Sequence, residues 1–202
     1  MNETVQAWSR VVGWLEEHAP VNHRALNGPA SEEEITAAEE QLGVRLPDQL
    51  RAYLKVNNGT VTQLDDSNGL TGSCPEGEFL SDCWALLPLS TIVRLHHQMM
   101  PGPNEDAAYW EREWIPFAAE PYECGEMYGY FVDAITGSVG RWGDYGERDA
   151  RAHPSLRDFF DDEFRHIGRL VHEGGHYEVK PISERTPDDP PGRVLNGSIE
   201  WD

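Results

Sequence analysis

Leu156, Phe159, Phe160, Phe164, Ile167, Leu170 and Val171 fall on one face of a helix with a 3.6-residue repeat. A stripe this apolar cannot stay in water, so it demands a flat apolar partner. The chain offers one just upstream. Tyr128-Gly129-Tyr130-Phe131-Val132-Asp133 is aromatic and β-branched, Thr136-Gly137 marks a turn, and Ser138-Val139-Gly140-Arg141-Trp142 runs back. The two runs predict an antiparallel hairpin beneath the helix. Trp84-Ala85-Leu86-Leu87 and Trp114-Ile115-Pro116-Phe117 add short strands, the second expected at a sheet edge or strand end because of its proline. The fold class that follows is α+β, a mixed and mostly antiparallel sheet with packed helices.

The first half of the chain is helical. Val5, Trp8, Val11, Val12 and Leu15 predict a helix that ends before Pro20, followed by a polar loop. Ser31-Glu32-Glu33-Glu34 is a capping box at the head of a second helix, with Ile35, Ala38, Glu39 and Leu42 along it and Gly43 at the left-handed stop. Pro47 reads as a first-turn proline of a third helix, whose buried face is Leu50, Tyr53, Leu54 and Val56, and Asn57-Asn58-Gly59 closes it. Residues 60–83 read as a long loop, and a helix is expected from Ser90 to Gln98. Beyond the last helix come Gly174-Gly175, a short strand at Tyr177–Val179 and a Pro-rich turn at Pro187–Pro191. Val194–Trp201 carries the Asn196-Gly197 signature of a hairpin turn, yet as a chain end it is expected to fray. At 202 residues, the expected organisation is one domain over residues 1–180, with 181–202 as a Pro-rich turn followed by a hairpin or a frayed tail.

Several of these segments, in this order, resemble the SMI1/KNR4 (SUKH) family. The carrying run is Pro29-Ala30-Ser31-Glu32-Glu33-Glu34-Ile35, then Glu39-Glu40-Gln41-Leu42-Gly43-Val44-Arg45-Leu46-Pro47, Leu50-Arg51 and Asn57-Asn58-Gly59. Leu87-Pro88-Leu89, Trp114-Ile115-Pro116-Phe117 and Phe131-Val132-Asp133 are similar to the family's second half. The shared residues cap, reverse and pack, so they identify a fold more than a site. The resemblance implies a SUKH-like α+β domain. It also implies a binding role: bacterial members commonly act as immunity proteins against toxins, many of them nucleases, and fungal members regulate cell-wall synthesis and signalling. The fungal type usually carries long low-complexity flanks, which this chain lacks.

Charge narrows the partners. There are 36 acidic residues against 16 basic, a formal net charge of −20 with a pI near 4.6. Such a surface disfavours phosphate backbones and anionic membranes, and it attracts basic proteins. Charge of this kind also serves solubility alone. Cys74, Cys83 and Cys124 form no CxxC pair and are odd in number, against a disulfide scaffold or a zinc finger. The N-terminus lacks a basic region followed by an apolar one, and no run approaches the roughly 20 apolar residues of a membrane span, so a cytoplasmic protein is expected.

The residues offer little for catalysis. His172-Glu173-Gly174-Gly175-His176 matches HExxH literally, which requires both histidines one turn apart on a helix and a third ligand from elsewhere. Two adjacent glycines stop a helix, each costing about 1 kcal/mol relative to alanine. A helix end with solvent-facing histidines is therefore expected, and no metal, cofactor or catalytic residue is assigned. His96-His97 point apart on a helix. Cys124 stands among Tyr122, Glu123 and Glu126, where negative neighbours blunt a thiol. No nucleophile elbow, phosphate loop or dinucleotide fingerprint occurs. What remains is acidic: Asp65, Asp66, Glu76, Glu78, Asp82, Glu123, Glu126, and Asp144-Tyr145-Gly146-Glu147, in which Asp144, Tyr145 and Glu147 mix an aromatic with carboxylates. Each cluster alone is an ordinary solvated face; as a set they suit a protein partner, a basic toxin first. The alternatives are a non-catalytic regulatory or scaffold module and, from the HEGGH run alone, a zinc hydrolase.

Overall fold

The aromatic stripe finds its sheet. In the computed structural model, helix α6 (Leu156–Ile167) begins at Ser155, whose Oγ accepts from the Asp158 N–H at 3.2 Å. Phe159 is fully buried, and its ring meets Phe117 and Tyr130 at 5.0 Å each. Those two rings stand on β2 (Trp114–Ala119) and β3 (Gly129–Asp133). Phe160 faces the other way, against Trp8 of α1 (Glu3–His18) at 5.1 Å and Tyr53 of α4 (Asp48–Leu54) at 5.2 Å. One helix thus joins the sheet to the helical layer.

The structure describes residues 2–61, 75–101, 110–120, 128–143, 148–172, 175, 180 and 182–201. With β1 (Ala85–Leu86), β4 (Val139–Trp142) and β5 (Arg148–His153), the strands lie in the order β1-β2-β3-β4-β5, every pairing antiparallel. On the face away from Phe159, Trp114 stacks on Phe131 at 4.5 Å, and the Trp110 ring meets both of them and Trp142 at 5.5 Å. Alternating side chains along β2 and β3 load both faces of the sheet with aromatics.

The capped helix forms as its sequence demands. In α3 (Glu32–Leu42), Ser31 Oγ accepts from the Glu34 N–H, the Glu34 carboxylate accepts from the Ser31 N–H at 2.7 Å, and Gly43 takes φ 66°. Helix α5 (Leu89–Met99) packs against α3 and β2. Asn57 and Asn58 stitch the neighbouring loops: Tyr53 OH donates to Asn57 Oδ1 at 2.6 Å, and Asn58 Oδ1 accepts from the Leu89 N–H at 2.8 Å.

Six expectations change. Pro116 does not put β2 at an edge, since β1 flanks it; β1 pairs only with Ala118 and Ala119, so the proline sits beyond that pairing, beside a register shift. Residues after Pro20 form a short helix, α2 (Pro20–Arg24), instead of a polar loop. Pro47 is the cap residue of α4, just outside the helix, and Val56 is 44% exposed instead of buried. Helix α6 stops at Ile167, short of Leu170 and Val171; Leu170 is buried nonetheless, and the Val171 backbone is taken up by a strand. That strand belongs to the segment expected to fray. β6 (Gly192–Leu195) and β7 (Ser198–Trp201) form a hairpin, with Asn196 at φ 52° and Gly197 at φ 76° as its two-residue turn requires. The hairpin is held because the Val21 N–H donates to Gly197 O at 2.9 Å, the Val194 N–H to Val171 O at 2.8 Å, and Val194 and Ile199 are buried. The strand expected at Tyr177–Val179 lies outside the described residues.

Candidate protein-docking site

Antiparallel register decides which loops share an end of a sheet. Here a single line of paired residues crosses all five strands: Ala85, Ala119, Gly129, Trp142, Arg148. β1, β3 and β5 start on that line, and β2 and β4 finish on it. The chain therefore enters or leaves this one end through three segments, 62–84, 120–128 and 143–147. They hold five, three and two acidic residues respectively, and not one Lys or Arg. Every residue singled out from the sequence belongs to one of them. Asp65, Asp66, Glu123, Glu126, Asp144, Tyr145 and Glu147 lie outside the described residues; Glu76, Glu78 and the backbone of Asp82 lie within.

The described part converges. Glu78 is half-buried, its Oε1 is buried without a hydrogen-bond partner, and its carboxyl is pushed above the usual range. Burial is the larger cause, and the charges of Glu76 and Glu120 add to it. Glu120, the residue that leaves β2, thus joins the pair in space.

Buried polar groups place these residues. Asn22 of α2 is fully buried; its Nδ2 donates to Glu76 O at 3.0 Å while its Oδ1 accepts from the Ile199 N–H at 2.8 Å. Glu163 of α6, 5% exposed, accepts from the Ser81 N–H at 2.9 Å and Oγ at 3.0 Å, fixing the short helical turn Ser81–Cys83 that carries Asp82. Beside that turn Trp84 is buried, with Tyr130 at 4.7 Å and the Arg141 guanidinium 5.1 Å over its ring.

Glu78 makes a signed prediction. A carboxyl whose folded pKa is raised keeps its proton in the native state after the unfolded chain has lost it. Stability therefore falls as pH rises from the ordinary carboxylate pKa through the raised one, and the penalty stays in full above it. Glu78→Gln is expected to raise the melting temperature at about pH 7 and to leave it unchanged near pH 4, as thermal unfolding at the two pH values will show.

The other motifs are less convergent. His172 lies beyond the end of α6, so the first member of the HEGGH run is not on a helix; Glu173, Gly174 and His176 lie outside the described residues. His96 Nε2 pairs with Arg112 O at 2.8 Å and His97 Nε2 with Gln41 O at 3.0 Å, so the adjacent imidazoles diverge. Among the described residues no three His, Cys, Asp or Glu groups come together to hold a metal, and no helix is long and apolar enough to cross a membrane.

Comparison with known proteins agrees with this architecture. The family model for the SMI1 / KNR4 family (SUKH-1) matches residues 29–162. The cell wall assembly regulator SMI1 of Saccharomyces cerevisiae is 33% identical over 73 residues, which is 36% of this chain and 14% of that much longer protein. The family match takes in α3 to α5, all five strands of the sheet and most of α6. Because that match covers well over half of the chain, the chain belongs to the SMI1/KNR4 (SUKH-1) family.

Proposed function

We propose that this chain is a non-catalytic, cytoplasmic immunity-type protein that binds a basic toxin, a nuclease first among the candidates, and blocks it. The observation that carries this reading is the return of three acidic, base-free segments to one end of the sheet. A nuclease must offer a cationic groove to phosphates. A surface of opposite charge is steered onto such a groove and covers it. Glu76, Glu78 and Asp82, with Asp65, Asp66, Glu123, Glu126, Asp144 and Glu147, would contact the groove, and Tyr145 would supply an aromatic anchor. Desolvated charge pairs then give specificity, and occlusion does the blocking.

The test is co-expression with the toxins encoded beside its gene. Rescue of growth and a stable complex with one of them is expected. Neither rescue nor binding with any neighbour overturns the reading. A second reading, a regulatory or scaffold module, is favoured by similarity to the yeast cell wall assembly regulator. It predicts several cellular proteins in a pull-down with no toxin among them.

A further inference from the structure

His172 opens the HEGGH run, but the fold gives it a neighbour that the run does not contain. Its imidazole meets that of His18, the last residue of α1, with ring centroids 4.7 Å apart and planes inclined by 59°. Trp14, one turn earlier on α1, lies 5.1 Å from the His18 ring and 6.0 Å from the His172 ring. Glu17 Oε2 is 3.8 Å from His18 Nε2. His172 is exposed and His18 half-buried, so solvent reaches the pair.

Two imidazoles bound side by side to one ion, at metal–nitrogen distances near 2.0–2.1 Å, place their ring centres about 4.5–5 Å apart. The observed spacing falls in that range. We infer that His18 and His172 form a two-histidine site for a divalent transition-metal ion of the kind imidazole prefers, Cu(II) most tightly, then Ni(II) and Zn(II). Water completes the coordination. With two protein ligands the ion is a clasp, tying the segment after α6 back to α1, and it does not create a hydrolytic centre. The clasp is independent of the docking site and stands whether or not a toxin is bound.

The experiment uses the untagged full-length chain titrated with Cu(II) chloride at about pH 7.5, with tryptophan fluorescence as the signal. A saturable one-to-one quench is expected, and Trp14→Phe removes most of it because Trp14 is the indole beside both imidazoles. His18→Ala and His172→Ala each weaken binding by about tenfold or more, since losing a ligand costs at least as much as losing the partner behind one. Ni(II) and Zn(II) raise the melting temperature of the parent but not of the double variant, the linkage expected of an ion bound only by the folded chain. His18→Gln, which keeps the side chain's bulk, repeats the loss if His18→Ala disturbs folding. A quench unchanged in the His18 variants, or lost in His176→Ala but kept in His18→Ala, overturns the inference, as does the absence of any saturable phase.

Discussion

Phe159→Ala is expected to lower the unfolding free energy by about 3–5 kcal/mol, the range for a large aromatic removed from a packed core. Phe159 is fully buried and packs edge-on against Phe117, Tyr130, His153 and Phe160, with centroids between 5.0 and 5.5 Å. Its loss opens a cavity where α6 meets the sheet, and backbone elements on both sides limit collapse. Phe159→Leu keeps part of the volume, so its effect is expected to be smaller. Urea denaturation of both variants checks this, with the midpoint moving and the slope unchanged. A loss under about 1 kcal/mol for the alanine variant would mean that α6 does not close the core in this way.

Asn22→Leu is expected to cost about 1.5–4.5 kcal/mol, although leucine is similar in size and more apolar. The buried amide donates to the Glu76 carbonyl and accepts from the Ile199 N–H, and leucine would lose the first bond, worth about 0.5–1.5 kcal/mol, and leave the buried Ile199 N–H unsatisfied at about 1–3 kcal/mol. The loss should be local as well as global. Hydrogen exchange at Ile199 and along the β6–β7 hairpin is expected to speed up more than exchange in β2 or β3. Uniform acceleration across the chain would show that the hairpin is not anchored through Asn22.

These two positions also show what the sequence could reveal. Phe159 was legible because a 3.6-residue stripe has only one use in water. The capped helix α3 was legible because Ser31, Glu34 and Gly43 each answer a local need of the backbone. Asn22 was not, because its partners Glu76 and Ile199 are far away along the chain and nothing local marks a buried amide. Strand β5 escaped for a related reason: Arg148-Asp149-Ala150-Arg151-Ala152-His153 has no β-branched residue, and as an edge strand it needs a partner on one side only. The hairpin turn at Asn196-Gly197 was visible, but the contacts that keep it from fraying come from α2 and Val171. The acidic residues were readable one cluster at a time. The meeting of Glu76, Glu78 and Glu120 beside one end of the sheet depends on strand register, which composition does not encode. For the same reason the neighbourhood of His18 and His172 appears only once the chain is folded.

Docking at this end of the sheet depends on where the charge sits, and two variants of equal charge test it. Glu76→Lys, Glu78→Lys and Glu120→Lys together reverse the charge of the three acids that meet at that end of the sheet. Glu16→Lys, Glu33→Lys and Glu40→Lys reverse three exposed acids on α1 and α3. Affinity for the basic partner identified by co-expression is then measured at physiological salt by calorimetry. The sheet-end variant is expected to bind at least about thirtyfold more weakly, the equivalent of roughly 2 kcal/mol for lost interfacial charge pairs. The helix variant is expected to stay within about threefold, because distant exposed charges are screened. Equal losses in the two variants, or a loss only in the helix variant, would contradict a docking face at that end of the sheet.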